Sequence, residues 1–461
     1  MMELTLSLAQ VRGLPKKEQQ MLHDLVEIYG RHTSKNAVKE RYYEGNIPIS
    51  EVNLGIAIPK QFTGLEIGCA WGAKTVDVLA ARSMFDGFVD ASGAESEELA
   101  KIVADNNLLT EYQKACRDEL KVGCVFATLS ADAAIGCKIR FHSAKTAAAH
   151  WNGEKGRIDY GFAVIDSTYE DGKWEATMIN LYTDDDIWVM RNASGAWTAT
   201  KHPHRMGRPL MEALVWNATS NKPFGRSRLK EPVRRLIQGY IRTVANATLG
   251  LEFSTAPQKY LLGITDDQYD QVINQKFKQY IGSIIASTPN PETGQNPAFG
   301  QLPQGSIGPH IEMMRLLSTQ FSAATGLTVT DVGVVNDANP TSSDAILAQS
   351  QTLVRMAEEL NAGNGGALRN IALMALAIVG KTTVDALDEQ KRNIVAKFKN
   401  PAMPSVAVSA DAAIKIASAR PAFAQTDTFL EMIGFSQADV RRIKAQEVRA
   451  RGLALLEGQG G

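Results

Sequence analysis

The stretch EPVRRLIQGYIRTVANATLGL, residues 231–251, predicts one long helix with an apolar face. Pro232 lies at a first helical position, where its missing N–H removes no intrahelical hydrogen bond. The apolar residues follow a 4-3-4-7 spacing, and they are Val233, Ile237, Tyr240, Val244 and Leu251. A continuous stripe of this length predicts packing against other long helices.

A second long helix follows after an excursion rich in proline and glycine. Residues 288–309 contain five prolines and four glycines, a composition typical of loops and extended segments. Residues 309–325 then place Ile311, Met314, Leu317 and Phe321 on one face, and Gly326 is expected to end the helix. The two helices and the excursion between them predict a hairpin-like element.

Residues 339–379 predict a third helical region. Asn339 is a suitable N-cap, Pro340 a first helical residue, and Asp344 a favourable charge in the first turns. The run Gly363–Gly366 predicts an interruption, after which residues 367–379 resume the helix. Residues 384–461 predict short helices with turns at 400–401 and 420–421.

The first half of the chain combines helices with a β-rich segment. Helical spacing is found at 18–29, 36–44, 73–84, 95–106 and 110–120. Strands are predicted at 124–130, 138–142, 159–165, 174–181, 187–191 and 197–200, with a turn at 192–195. The predicted class is therefore α+β, mainly α, with a small antiparallel sheet beside helices.

The composition of the chain argues against several classes of protein. The 461 residues carry a formal net charge of −1, so the chain lacks the basic excess of proteins that hold nucleic acid statically. None of the four cysteines stands in CxxC spacing, which predicts reduced thiols. The N-terminus resembles no signal peptide, and the longest apolar run, 371–379, is short for a membrane span. We expect an intracellular protein without a membrane partner.

The strongest enzyme-like pattern is LEIGCAWG, residues 65–72. Glu66 to Gly72 is similar to the first motif of Rossmann-like methyltransferases, whose glycines let the backbone approach S-adenosylmethionine. The preceding residues 59–64 are polar, however, and the chain downstream lacks the alternation of strand and helix that a doubly wound sheet requires. An S-adenosylmethionine-dependent methyltransferase is kept as the alternative function.

Other motifs favour no enzyme. Asp184–Asp186 lies between two predicted strands and predicts a hairpin tip more than a metal site. His202 and His204 have no CxxC or HExxH companion, and there is no phosphate-binding loop or nucleophile elbow. The basic residues at 441–451 predict a solvated helix face or a weak site for phosphate or an acidic partner. We predict no catalytic residue, no cofactor and no metal.

Several collinear segments resemble the portal proteins of long-tailed bacteriophages. The segments are 41–45 (RYYEG), 71–88, 224–229 (FGRSRL), 256–260 (APQKY), 339–346 (NPTSSDAI) and 400–405 (NPAMPS). The resemblance covers the chain from about residue 36 to 450 and assigns the glycines at 68–72 to a structural helix instead of a cofactor site. It implies a non-enzymatic subunit of a ring of about twelve copies at one capsid vertex, through which double-stranded DNA enters and leaves.

The resemblance also implies a division of the chain into a portal fold. Residues 1–227 would be an α/β wing, 228–251 and 308–325 the stem helices, and 252–307 the clip. Residues 326–343 would be the tunnel loop, 344–382 a long wing helix, and 383–461 a helical crown.

Two sets of site residues follow from this division. The loop residues expected to face DNA are Gly333, Val335, Asn336, Asp337, Asn339 and Thr341. The clip residues expected to face the packaging motor are Pro289, Pro291, Pro297, Phe299 and Pro303. The implied partners are further copies of the chain, the terminase large subunit, a head-completion or adaptor protein, the major capsid and scaffolding proteins, and DNA in transit. The implied location is the virion, after synthesis in the host cytoplasm.

Overall fold

The computed structural model describes residues 4–5, 10–52, 67–90, 93–94, 96–170, 172–193, 195–255, 259–263, 289, 294, 296, 298–301, 306–333, 343–402, 406–435 and 437–457. The chain forms two compact units, 1–399 and 400–461. Helices and strands alternate irregularly along the first unit, and the described part of the second is helical. The chain is therefore of the α+β class.

The helices of the first unit are α1 (Lys16–Glu44), α2 (Ile49–Val52), α3 (Trp71–Ala80), α4 (Glu97–Asp105), α5 (Leu108–Val122), α6 (Glu231–Thr255), α7 (Gly308–Thr325), α8 (Ser343–Val379) and α9 (Glu389–Arg392). The second unit contains α10 (Val406–Ala419), α11 (Asp427–Ile433) and α12 (Gln437–Glu457). Local chemistry explains their ends. The Ser96 side chain accepts a hydrogen bond from the Leu99 N–H at the start of α4, and α7 ends at Gly326 with φ +74°.

The strands are β1 (Leu4–Thr5), β2 (Val11–Arg12), β3 (Phe85–Asp90), β4 (Cys124–Asp132), β5 (Gly136–Ser143), β6 (Ala147–Asn152), β7 (Arg157–Glu170), β8 (Lys173–Tyr182), β9 (Asp186–Ala193), β10 (Ala196–Pro203), β11 (Met211–Val215), β12 (Lys259–Leu262), β13 (Ala298–Gln301) and β14 (Ile394–Phe398). A seven-stranded sheet has the order β2-β10-β9-β8-β7-β6, with β1 beside β8. A three-stranded sheet has the order β11-β4-β5, and β12–β13 and β3–β14 are antiparallel ribbons.

The six predicted strands and the turn at 192–195 are confirmed, since β4, β5 and β7 to β10 contain them. At that turn the Asn192 side chain accepts a hydrogen bond from the Gly195 N–H at 2.9 Å. The sheet is larger than the predicted small one, because short strands such as β2 and β6 join it.

Two predicted helix interruptions are wrong. The segments 18–29 and 36–44 form one helix, α1, which runs through Gly30 with Tyr29 and Asn36 buried on either side of it. The run Gly363–Gly366 lies inside the continuous helix α8. A Cβ on Gly365 would lie 3.6 Å from the Phe398 ring, so small residues there allow β14 to lie close to the helix. A glycine lowers helix stability by only about 1 kcal/mol, which tertiary packing offsets.

The strand β14 is a further difference from the sequence, which predicts only short helices after residue 384. Ile394 pairs with Asp90 and Phe398 with Phe85, so this strand closes a ribbon with β3 inside the first unit. The aromatic ring of Phe398 packs against both Phe85 and Tyr112. The first compact unit thus extends to Lys399.

Buried side chains form two cores in the first unit. One lies between the first half of α1 and a face of the seven-stranded sheet, and it includes Leu22, Leu25 and Phe162. The larger core joins α3 to α8 with the three-stranded sheet. Residues 350–379 of α8 are long and apolar enough to cross a membrane by composition alone, but 56% of the most apolar window is buried, as in the core helix of a globular unit.

Candidate functional site: the long helix pair and the base of the following loop

The helices α6 and α7 pack closely near Gly239. A Cβ at that position would lie 3.3 Å from Leu317 Cδ2, so glycine permits the close approach. The Trp71 ring of α3 lies between Tyr240 and Phe321, with centroid distances of 4.2 and 4.5 Å. The pair is therefore anchored to the body of the first unit by an aromatic cluster.

The far end of the helix pair carries a two-stranded ribbon. The strand β12 follows α6 and pairs antiparallel with β13, which precedes α7, with Tyr260 opposite Gly300 and Leu261 opposite Phe299. The chain thus runs out along α6, turns through a segment that includes the ribbon, and returns along α7. This arrangement is the hairpin-like element that the sequence predicts.

Large apolar side chains are exposed along the outer part of this element. Their exposed fractions lie between 40% and 60%, and they are Leu251, Ile311, Met313, Leu316, Tyr260, Leu262 and Phe299. Val233, Ile237, Leu317 and Phe321 are buried, as their place in the predicted stripes requires. The predicted stripes therefore extend past the part of each helix that the single chain covers, which is typical of an interaction surface.

Arg228 joins three elements at the base of the helix pair. It is 5% exposed, its Nε–H donates to the Thr75 carbonyl at 2.6 Å, and its Nη2–H donates to the Thr325 carbonyl at 2.7 Å. Burial lowers the pKa of Arg228 to about 10, so the guanidinium remains charged at neutral pH. A cation on the last carbonyl of α7 satisfies an otherwise unpaired acceptor and opposes the helix dipole.

The chain after α7 forms a closed turn. The Thr328 N–H and hydroxyl donate to Asp331 Oδ2 at 3.0 and 2.8 Å, and the Asp331 N–H donates back to the Thr328 hydroxyl oxygen at 3.2 Å. Val332 is buried, and Gly333 follows with φ +88° and is exposed. The base of the predicted tunnel loop is therefore fixed up to Val332.

The predicted site residues are only partly within the described chain. Gly333 lies at the exposed end of the turn, whereas Val335, Asn336, Asp337, Asn339 and Thr341 lie outside the described residues. Of the clip set, Pro289 is exposed and Phe299 lies in β13 with 54% exposure. Pro291, Pro297 and Pro303 lie outside the described residues. Their assignments stay predictions.

One glycine of the methyltransferase-like pattern, Gly72, has a packing role. A Cβ on Gly72 would lie 1.8 Å from the Tyr42 carbonyl oxygen, so only glycine lets α3 begin against the end of α1. Gly45 has φ +75°, and its Cβ would lie 2.7 Å from the Cys69 carbonyl oxygen. The next strand, β3, pairs antiparallel with β14 instead of joining a parallel sheet. Glu66 lies outside the described residues. The methyltransferase alternative has no support.

The acidic run at 184–186 forms a hairpin tip, as predicted. The Thr183 N–H donates to the Asp186 carbonyl at 2.9 Å, which closes the turn between β8 and β9. Asp184 forms ion pairs with Lys155 at 3.4 Å and Arg157 at 3.6 Å. Its carboxylate is therefore neutralised by side chains of the chain itself.

A buried polar network joins α8 to α5, and sequence reasoning missed it. The Asn364 side-chain amide donates to the Tyr112 hydroxyl at 3.1 Å and to Glu119 Oε2 at 2.8 Å. Burial raises the pKa of Glu119 to about 8. Ser83 contacts both the Tyr112 hydroxyl, at 2.7 Å, and Asn361 Oδ1, at 2.6 Å. The available signal was two asparagines beside the glycine run, at 361 and 364, in an otherwise apolar helix.

Comparison with known proteins gives two relatives with the same description. The chain is 24% identical over 421 residues to the portal protein of Mycobacterium phage D29, a match that covers 87% of this chain and 84% of the relative. It is also 24% identical over 382 residues to the portal protein of Mycobacterium phage L5, covering 79% and 75%. The chain is therefore similar to phage portal proteins over most of its length. The portal resemblance seen in the sequence is thus confirmed over most of the chain, although no protein-family model matches it.

Comparison with solved structures gives only weak similarity to this chain. One described as the neck of an empty GTA particle, computed with C6 symmetry, has a TM-score of 0.46 at 12% identity and covers 80% of this chain and 90% of its own. Another, the neck of a native GTA particle computed with C12 symmetry, has a TM-score of 0.45 at 10% identity, with coverages of 79% and 89%. Overlaps of this extent do not establish a shared fold.

Proposed function

We propose that this chain is the subunit of a closed ring of about twelve copies at one capsid vertex, through which double-stranded DNA is packaged and later ejected. The observation that supports this proposal is a row of large apolar side chains exposed on the outer part of the α6–α7 element. Exposure of Ile311, Met313 and Leu316 to water is unfavourable for a single chain, whereas neighbouring copies in a ring would bury these side chains.

A ring built from identical copies requires two unlike faces on each subunit. Each copy contacts one neighbour with one side and the other neighbour with the opposite side, and the contact closes when the rotation matches the copy number. Helices projecting from a body that anchors them by Trp71 and Arg228 suit this arrangement, because their angle sets the rotation. We assign the α6–α7 element to the stem and the ribbon β12–β13 to the clip.

The remaining assignments follow the order of the chain. Residues 1–227 and 344–382 form the wing, 326–343 the tunnel loop, and 383–461 the crown, with Ile394–Phe398 returning to the wing. The terminase large subunit would dock at the clip during packaging, and a head-completion or adaptor protein would follow. Capsid and scaffolding proteins would surround the wing. We assign the ring itself no catalytic step.

The near-neutral charge of the chain suits a conduit. A lysine-lined bore would hold phosphates through counterion release, whereas short polar side chains let a duplex slide. Residues 332–339 carry one charge, on Asp337. Replacing Asn336 and Asp337 with lysine is expected to slow DNA packaging while rings form normally. The measurement is packaged DNA per particle, with Gln320→Lys as a control for added charge, and full packaging by the double variant would contradict the loop assignment.

Ring formation is tested by native mass and electron microscopy of the purified full chain. Twelve copies of a 50.1 kDa chain give about 600 kDa. Leu316→Glu places a charge in the proposed contact and is expected to shift the mass to that of one chain. Gln320→Glu, at an exposed polar position of the same helix, is expected to leave the ring intact. A ring that survives Leu316→Glu would overturn the assignment of α7 to the subunit contact.

A further inference from the structure

A cleft of about 760 Å³ lies between the first helix and the segment that leads into α6. One wall is formed by α1, with Ile28, His32 and Lys35, and the other by residues 222–234. Its floor contains Phe126, Phe224 and the start of β6. The volume is that of pockets that enclose a drug-sized group or a few side chains. The cleft is distant in sequence from the loop and clip residues and has no role in the proposed ring.

The charges on this cleft are strongly unbalanced in a chain whose net charge is −1. Six Lys or Arg side chains line it, and they are Lys35, Lys39, Lys222, Arg226, Lys230 and Arg234. The one lining carboxylate, Glu231, pairs with Arg235 at 3.2 Å. The positive end of the α6 dipole opens on the same cleft, because Lys230 and Glu231 are lining residues. The cleft is therefore a concentrated positive site.

Nothing in the described chain neutralises these cations. The Lys39 ammonium donates only to neutral acceptors, Asn36 Oδ1 at 3.0 Å and the Val122 carbonyl at 2.9 Å. Burial, with smaller contributions from the charges of Arg234 and Lys35, lowers the pKa of Lys39 to about 8. Lys222, Arg226 and Lys230 are exposed. Like charges held together without partners destabilise the free chain and favour an anion that binds among them.

The floor of the cleft is apolar and closed. Ala147, Ala148 and Ala149 of β6 line it and are only 1–5% exposed, so the edge of this strand is covered by the chain itself. Phe126, which is also buried, lines the same floor. Small apolar side chains there leave room for the side chains of a bound segment.

We propose that this cleft binds an extended acidic segment of a partner protein, which places its carboxylates against the cations. The intervening apolar side chains lie on the floor, since alternate residues of an extended segment point to opposite sides. The ring proposal and this one are tested separately, because only the first turn of α6, with Glu231 and Arg234, lines the cleft, whereas the proposed subunit contact lies on α7 and the outer part of α6.

A peptide fits these observations better than a nucleic acid does. A duplex presents its phosphates on a convex surface that does not enter a cleft of this size, and it has no apolar side chain to place on the floor. A single strand would find cations, but stacking platforms for its bases require exposed aromatic rings. Phe126 and Phe224 instead face each other edge-on, with centroids 5.6 Å apart, and Phe126 is buried. The cleft therefore favours carboxylates spaced along an extended chain.

The test uses the full-length chain and fluorescein-labelled peptides of about six residues, the length of a typical strand. The first peptide alternates Glu with Val. The second replaces each Val by Ser, which keeps the charge but removes the apolar side chains that would lie on the floor. The third replaces each Glu by Lys. Single- and double-stranded oligonucleotides of matched charge are titrated in parallel, and binding is read by fluorescence anisotropy at two salt concentrations.

Two matched variants separate the cleft from overall charge. The triple variant Lys222→Glu, Arg226→Glu and Lys230→Glu reverses three exposed cleft cations. The control variant Lys16→Glu, Lys17→Glu and Lys173→Glu makes the same charge change at exposed positions outside the cleft. Circular dichroism and thermal unfolding verify that both fold, and Lys35→Glu gives a second, single-site reading on the other wall.

The Glu-Val peptide is expected to bind wild type and the control variant alike. Its affinity for the triple variant should fall about thirtyfold, from three exposed ion pairs lost. Lys35→Glu should weaken it by a smaller factor, and the Ser and Lys peptides should bind at least about tenfold more weakly. Equal binding of the Glu-Val and Ser peptides would overturn the contact with the apolar floor. Binding of the oligonucleotides alone, or equal loss in both triple variants, would overturn the proposal.

Discussion

The two halves of α7 carry similar apolar residues but have opposite surroundings. In the inner half, Leu317 to Thr325, Leu317, Ser318 and Phe321 are buried against α6 and α3. In the outer half, Gly308 to Leu316, every residue is half-buried or exposed. Helical spacing marks both halves equally, because it reports which side chains share a face and not what covers that face. The difference shows that one half belongs to the core of the first unit, whereas the other presents apolar surface that the single chain does not cover.

The largest expected effect breaks the inner half. Phe321→Ala removes a fully buried ring that packs on Trp71 and should lower the free energy of unfolding by about 3–5 kcal/mol. Phe321→Leu keeps most of the volume and should lower it by about 1 kcal/mol. Chemical denaturation of the dissociated subunit measures both. Equal losses would mean that the aromatic stacking, and not the filled volume, stabilises the base.

The next effect tests how the inner half is fastened. Arg228→Met keeps an unbranched apolar stem but leaves the Thr325 carbonyl, at the end of α7, buried without a donor and removes a second hydrogen bond to the Thr75 carbonyl, which should lower the free energy of unfolding by about 3 kcal/mol. Arg226→Met, two residues away and exposed, should change it by less than about 0.5 kcal/mol. Thermal unfolding compares the two. Similar melting temperatures would contradict the role assigned to Arg228.

A smaller effect tests the ionisation state of Glu119, which is buried in the body behind the inner half of α7. Burial raises the pKa of Glu119 to about 8, from about 4.5, so the folded state holds a proton that the unfolded state releases. Its contribution to stability is complete below about pH 4.5 and is lost as the pH rises through about 8. Glu119→Gln should flatten that decline. Glu111→Gln, an exposed position on the same helix, should retain it, and unfolding curves across this pH range distinguish them.

The smallest expected effect belongs to the outer half. Ile311→Ser replaces a side chain that is 43% exposed, so the unfolding free energy of a dissociated subunit should change by less than about 0.5 kcal/mol. The same substitution should weaken assembly, measured as the subunit concentration at which rings dissociate. A loss of about 2 kcal/mol in the subunit alone would show that this half is core and would remove the contrast.

Local patterns predicted most elements because their causes are local. The long helices at 231–251 and 309–325 and the six strands between 124 and 200 were confirmed, since apolar periodicity and turn residues determine them. The strand β14 was missed because its pairing with β3 depends on residues 300 positions away, which no window along the sequence contains. The same limit explains the two wrong interruptions, where contacts of α1 and α8 outweigh the low helix propensity of glycine.

The site was predicted as an order of segments and not as contacts. Similarity to portal proteins gave an order of segments, and the helices α6 and α7 lie where that order has the stem pair, whereas the stem and loop assignments stay predictions. Arg228 lies in one of the segments that resemble portal proteins. Its role could not be predicted, because a buried arginine and a surface arginine look alike in sequence. Its partners, at Thr75 and Thr325, are fixed only when three helices meet.

The ribbon of β3 and β14 also determines when the body can be completed during synthesis. Asp90 leaves the ribosome long before its partner Ile394 is made, an interval of roughly 15–60 s at about 5–20 residues per second. Throughout that time β3 has an open edge, and Phe85 and Phe88, later buried, lack the cover of β14. The fold of the first unit thus cannot be completed until residues 394–398 have been made, and β3 lacks its partner strand until then.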